Sequence, residues 1–244
     1  MKFLKEIVET LTLEPPAVVS PRAQRTRAAL RDALAGEIVA TGDLGQVTVT
    51  AVSDRAGVTR RTFYSHYRDI PDLVCQIEDE TVEGLRPLVL RLANTHLDEL
   101  ERTIRSFGAC PGGIDLLTFC EERRSYLAPL LGDGGDPAFA ERLKRLVREV
   151  VEPRALEGFC PGAYAGLFDY YLTFVISAEV GVLVRWLTTG TRESVDAMAR
   201  IMTALAFVRP GDLYGRPITF DIPNDFDLIV QVLASVARTE GDQR

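Results

Sequence analysis

The chain has 244 residues, is 46% apolar and carries a formal charge of −7. That is enough apolar content for a sizeable core in one or two domains, and too acidic for a protein that coats itself in nucleic acid without selectivity. The four cysteines, Cys75, Cys110, Cys120 and Cys160, are widely spaced with no CxxC pattern, which argues for free thiols in a reducing cytoplasm and against a zinc site. A run of about 18 uncharged apolar residues is missing, so no membrane span is expected.

Residues 1–20 form an extension in which Phe3, Leu4, Ile7, Val8 and Leu11 could share one helical face. Glu6, Glu9 and Glu14 interrupt the apolar residues, which does not suit a signal peptide, and Pro15-Pro16 breaks the segment from the rest of the chain. Ser20-Pro21 supplies a cap and a proline at the first helical position. Leu30, Ala33, Leu34, Ile38 and Thr41 continue as a helical stripe, and Gly42 ends it. Arg22, Arg25 and Arg27 crowd the opening turns, where the helix dipole disfavours cations. An anionic partner such as phosphate would relieve that conflict, as would plain solvation.

The next segment, Thr48 to Tyr67, reads TVTAVSDRAGVTRRTFYSHY. Thr48 is suited to cap a short helix whose apolar face is Val49, Val52 and Ala56. Gly57 suits a left-handed turn, and Val58 can fill the angle between two helices. Thr59 caps the second helix, on which Phe63 and Tyr67 lie four apart and can face inward, leaving Arg60, Arg61, Thr62, Tyr64 and His66 on other sides. A helix-turn-helix inserts its second helix in the DNA major groove and meets base edges near that helix's N-terminus, where Arg60 and Arg61 stand. An ordinary helical hairpin with a solvated basic end would show the same spacing.

The full string resembles the TetR family of bacterial transcriptional regulators: a threonine opening the first helix, Ala56-Gly57-Val58, a threonine at the second cap, then Thr62-Phe63-Tyr64-Ser65-His66-Tyr67, followed by Asp69 and Asp72-Leu73. The match is close over residues 22–90 and looser beyond. The resemblance implies phosphate contacts from Thr48, Thr59, Tyr64 and His66, with Arg60, Arg61 and Thr62 facing the bases of double-stranded operator DNA. Many members carry a phosphate-binding lysine just before the fourth helix. This chain has Ile70 there, and Arg68 is the neighbouring candidate to replace it.

Charge follows the same division. Residues 21–70 hold eight Lys or Arg against five Asp or Glu, a surplus of three, so the remainder of the −7 chain carries a deficit of ten. DNA binding is therefore expected at one end, with residues 21–70 as the DNA-binding domain and 71–244 as a second domain.

Past residue 71 the periodicity predicts helices over about 71–93, 96–107, 114–131, 137–156, 163–189, 193–208 and 225–239, an all-α architecture. Residues 163–189 are apolar on every face, so they need cover on most sides; self-association would supply it, and a central buried helix of a monomer would show the same pattern. The stretch Ser177–Gly190 and the following helix resemble the closing pair through which TetR-type regulators form homodimers, which implies Val182, Arg185, Trp186, Met198, Ile201, Met202 and Leu205 as interface residues. The family's remaining helices enclose a small-molecule effector. Aromatic and polar-tipped candidates to line such a cavity are Cys75, Phe119, Cys120, Arg123, Tyr126, Phe168, Tyr171 and Phe174, each of a type that more often fills a core than lines a pocket.

Catalysis finds little support. His66 belongs to the DNA motif and His96 to an expected turn, and GxSxG, GxGxxG and P-loop patterns are absent. The pairs Asp79-Glu80 and Glu121-Glu122 are adjacent on helices, so their side chains diverge by about 100°. No enzyme activity, metal or cofactor is expected. The reading is a cytoplasmic, ligand-responsive DNA-binding regulator, most simply a repressor. The alternative is a partner-binding coregulator of the same fold without DNA contact.

Overall fold

The computed structural model describes residues 20–106, 108–157 and 165–205, all of which fall in one compact unit. The N-terminal amphipathic stretch, Cys160, the 209–224 segment, the helix expected at 225–239 and the Phe168 side chain lie outside the described residues. Every regular element among the described residues is helical.

The first helix, α1 (Pro21–Thr41), begins and ends where its punctuation requires. The Ser20 hydroxyl accepts from the Ala23 amide at 3.3 Å, and Gly42 closes the helix in the left-handed region at φ 70°, its own amide donating to the Ile38 carbonyl. Leu30, Ala33, Leu34 and Ile38 are buried. Thr41, the last residue of the expected stripe, is exposed, and its hydroxyl donates to the Glu37 carbonyl at 2.8 Å instead of packing. A 3-10 turn at Leu44–Gln46 leads into α2 (Val49–Arg55) and α3 (Arg60–Tyr64).

The long helix α4 (Ile70–Ala93) starts at Asp69, whose carboxylate accepts from the Asp72 amide at 2.8 Å. Its buried side holds Leu73, Val74, Ile77, Leu85 and Val89. Then come α5 (Leu97–Arg105), α6 (Gly113–Glu122), α7 (Arg124–Leu131), α8 (Pro137–Glu157), α9 (Ala165–Thr188) and α10 (Val195–Leu205). The main packings are α4 on α8, α1 on α7, and α9 on α8 and α7. The loop after α1 is pinned as well, with Leu44 N–H donating to the Gly134 carbonyl at 2.8 Å. A side chain at Gly134 would collide with the Gly42 backbone, so that approach requires glycine.

The helix expected over 114–131 is broken at Arg123. Its amide bonds to the Cys120 carbonyl three residues back, while its guanidinium takes the Phe119 carbonyl at 3.1 Å that a continuous helix would have given to the amide. The same guanidinium stacks 3.7 Å from the Phe119 ring centroid. Phe119 in turn lies against Gly84 of α4, where an added Cβ would come within 2.6 Å of the ring.

Candidate nucleic-acid interface

The two caps of the motif form as the sequence predicts. Thr48 Oγ1 accepts from the Ala51 amide at 3.2 Å, and Thr59 Oγ1 accepts from the Thr62 amide at 3.1 Å. Between them Gly57 takes φ 65°, and the Val58 amide bonds back to the Ser53 carbonyl at 3.0 Å, closing the turn. Phe63 and Tyr67 are both buried, their ring centroids 5.8 Å apart. Burial of a large aromatic contributes several kcal/mol, so Phe63 fixes the roll of α3 about its axis, while Tyr67 packs against it from just beyond the helix end.

With that face committed, the other residues are placed by geometry. Arg60, Arg61 and Tyr64 are exposed, and Thr62 and His66 are partly so. Tyr64 stands edge-on to Phe63 at 5.6 Å between ring centroids and remains largely exposed. Among the described residues neither Arg60 nor Arg61 has an acidic partner. Arg55, by contrast, is engaged with Glu37 at 2.6 Å. Thr48 and Thr59 are exposed although they cap, and the Thr59 hydroxyl also shares a 2.9 Å hydrogen bond with the Thr62 hydroxyl.

Ile70 is buried, packed into the core at the first turn of α4, so nothing at this position reaches outward. Arg68 is exposed, but its amide donates to Asp72 Oδ2 at 2.8 Å and its guanidinium lies 3.5 Å from Asp72 Oδ1. The backbone bond leads the causes that hold the Asp72 carboxyl below its ordinary range. On α1, Arg25 Nε donates to the Pro21 carbonyl at 3.3 Å, and Arg27 reaches Glu80 on α4 at 3.4 Å.

Of the eight residues expected around an effector, the seven with described side chains are not gathered around one cavity. Cys120 and Tyr126 are buried in the core, with Cys120 pushed up to about 12 by burial, an inert thiol. Cys75 is exposed on α4, and Phe119 and Arg123 are occupied with each other. Tyr171 and Phe174 face outward, Phe174 with 67% of its surface exposed. Two open clefts of about 290 Å3 each occur among the described residues, and neither is lined by any of these seven.

The expected self-association residues divide in two. Trp186, 2% exposed, donates its indole N–H to the Glu193 carbonyl at 3.1 Å, and Met198 is likewise buried, so both belong to the chain's own core. Val182 and Met202 are half-buried, whereas Arg185, Ile201 and Leu205 are exposed. The outward side of α9 is Tyr171, Phe174, Ala178, Gly181 and Arg185, spaced by three and four, with Tyr170 beside them. Periodicity marks this helix as apolar all round but does not say which side the core takes.

Residues 169–188 of α9 are also long and apolar enough to cross a bilayer by length and composition, with mean hydropathy 1.4, although they include Asp169, Glu179 and Arg185. A third of that stretch is buried against the protein's own helices.

The class defined by these features is an all-helical protein with a helix-turn-helix preceding a larger helical region. Residues 111–207 match the TetR-type family model described as "Transcriptional regulator C-terminal region". It is residues 111–207, and not the whole chain, that are similar in this way to the C-terminal region of TetR-type regulators. Among solved structures the chain is similar to a TetR transcriptional regulator from Streptococcus agalactiae 2603V at 22% identity and TM-score 0.47, over 75% of this chain and 94% of that one. It is also similar to a TetR family transcription regulator from Marinobacter aquaeolei VT8 at 18% identity and TM-score 0.45, over 76% and 96% of the two chains.

Proposed function

We propose that the protein is a homodimeric repressor that reads a palindromic operator in double-stranded DNA and responds to a small-molecule effector. In this reading residues 21–70 are the DNA-binding head, 71–244 sense the effector and self-associate, and 1–20 are an extension. Arg60, Arg61 and Thr62 meet base edges, while Thr48, Thr59, Tyr64, His66 and Arg68 meet phosphates. The site of action is the cytoplasm, where the DNA is.

The observation that carries the reading is the front of α3: two exposed arginines without acidic partners, on a helix whose opposite face is locked by buried Phe63. Burial on one side and unspent positive charge on the other suit a helix held against a polyanion. A single helix of this length touches few base pairs, so specificity needs a second copy about 34 to 36 Å away or at a multiple of that distance. The outward stripe of α9 supports such pairing, because exposed aromatic side chains next to Ala178 and Gly181 let two helices approach closely.

Gel shifts with the DNA upstream of the protein's own gene test this. Wild-type protein is expected to bind with steep salt dependence, and Arg60→Ala to lose about 1–3 kcal/mol, or roughly five- to 150-fold, at a base-contacting position. Unchanged affinity in both Arg60→Ala and Tyr64→Phe would overturn the assignment of α3.

A further inference from the structure

Behind the helix-turn-helix, α1 and α4 leave an open cleft of about 290 Å3 lined by Gln24, Arg27, Arg31, Tyr67, Ile77 and Glu80. Positions 24, 27 and 31 fall on one face of α1, so the helix presents an amide and two guanidiniums to the same space. Glu80 is the one acid on the wall, 3.4 Å from Arg27, which leaves the cleft with net positive charge.

Arg31 is held in place but not satisfied. Its guanidinium carbon lies 4.4 Å from the centroid of the Tyr126 ring on α7, and the side chain is 31% exposed. Its Nε is shielded from water without a hydrogen-bond partner, with Asp32 Oδ1 3.5 Å away. No hydrogen bond meets the rest of the guanidinium among the described residues, and the Tyr67 hydroxyl at the same cleft has none either. Only the Nε is cut off from solvent; the remaining guanidinium nitrogens and the Tyr67 hydroxyl are free donors at the open cleft.

We infer that this cleft binds a small oxyanion, a carboxylate or a phosphate, through Arg31 and the Tyr67 hydroxyl, with Arg27 close by. Such a group offers acceptors to the solvent-facing donors of Arg31 and to the Tyr67 hydroxyl, and a stacked guanidinium presents it a fixed planar fork. The Ile77 side chain and the Tyr67 ring give the remainder of a small organic acid an apolar wall, and the volume suits a ligand at the small end of the usual range. An occupant would touch both α1 and α4. The assignment does not depend on DNA binding, and it is measured without DNA.

Calorimetric titration of the full chain with sodium phosphate and with sodium benzoate, at ionic strength held constant with sodium chloride, tests it. Saturable binding of one anion per chain is expected for at least one of the two. Tyr67→Phe, which keeps the ring and removes only the hydroxyl, and Arg31→Lys, which keeps the charge, should each weaken it about tenfold. Binding of equal strength in wild type and both variants, or no heat beyond that of chloride, overturns the proposal. Variants that lose DNA affinity while no form of the protein binds free phosphate or benzoate would make the occupant a DNA phosphate, which also overturns it.

Discussion

Arg55 Nε donates to Glu37 Oε1 at 2.6 Å, tying the first helix of the motif to the C-terminal part of α1. The contact settles what this arginine does: its charge is balanced locally, unlike those of Arg60 and Arg61. Arg55→Ala is expected to lower stability by about 1 kcal/mol, the scale of a partly exposed, well-aligned ion pair. It should leave the slope of log affinity against log salt unchanged, because no phosphate contact is removed. Urea midpoints together with DNA affinities over a salt series check both halves. A slope reduced by about 1 would instead put Arg55 on a phosphate.

Ser53 is fully buried inside the motif, and its hydroxyl has no hydrogen-bond partner. Ser53→Ala should therefore be neutral or raise stability, by up to about 1 kcal/mol, since it deletes an unpaired polar group and keeps the volume nearly constant. Thermal melts of the two proteins give the answer. A clear loss of stability would mean that the hydroxyl is satisfied in solution.

Phe174 and Trp186 lie on opposite sides of α9, and replacing them should have different consequences. Phe174→Glu puts a charge in the middle of the exposed stripe and is expected to give a folded monomer. Trp186→Ala leaves a cavity in the core and should cost about 3–5 kcal/mol of stability. Sedimentation with circular dichroism separates the cases. A Phe174→Glu protein that stays dimeric at micromolar concentration would exclude the Tyr171–Arg185 face as the contact surface.

Helix limits were legible in the sequence wherever a single residue sets them: Ser20, Thr48, Thr59 and Gly42 act through their own hydroxyl or backbone, and each lies where its spacing indicated. The inward burial of Phe63 was legible too, since period fixes which residues share a face, whereas Tyr67, expected on the same helix, lies past its end and is held inward by a turn in which its amide bonds to the Phe63 carbonyl. The break at Arg123 was not, because it depends on a guanidinium competing for one carbonyl, a matter of rotamer and not of residue type. The inward placement of Trp186 was not legible either, because an all-apolar helix carries no sign of which side the core takes. The cleft beside Arg31 was equally hidden: it needs Tyr126, ninety-five positions away, to hold the guanidinium.

Glu78 on α4 is buried beside Arg142 of α8, whose Nη1 donates to Oε2 at 2.8 Å while Oε1 has no partner. Arg142 also bonds Asp79, and Asp136 faces the pair from the loop before α8. Loss of solvent outweighs the arginine and raises the Glu78 carboxyl from 4.5 to about 7. Burial alone raises Glu179 on α9 to about 6. A carboxyl whose pKa is higher in the folded state stabilises the fold fully below its unfolded value. That contribution is lost as pH climbs from about 4.5 through 7, here up to ~3 kcal/mol for Glu78. Unfolding free energy should therefore fall between pH 5 and 8 in the wild type, and the fall should be smaller in Glu78→Gln, whatever that variant's absolute stability. Urea titrations at pH 5, 6.5 and 8 measure the slope, and parallel profiles for the two proteins would show that Glu78 is ionised in the fold throughout.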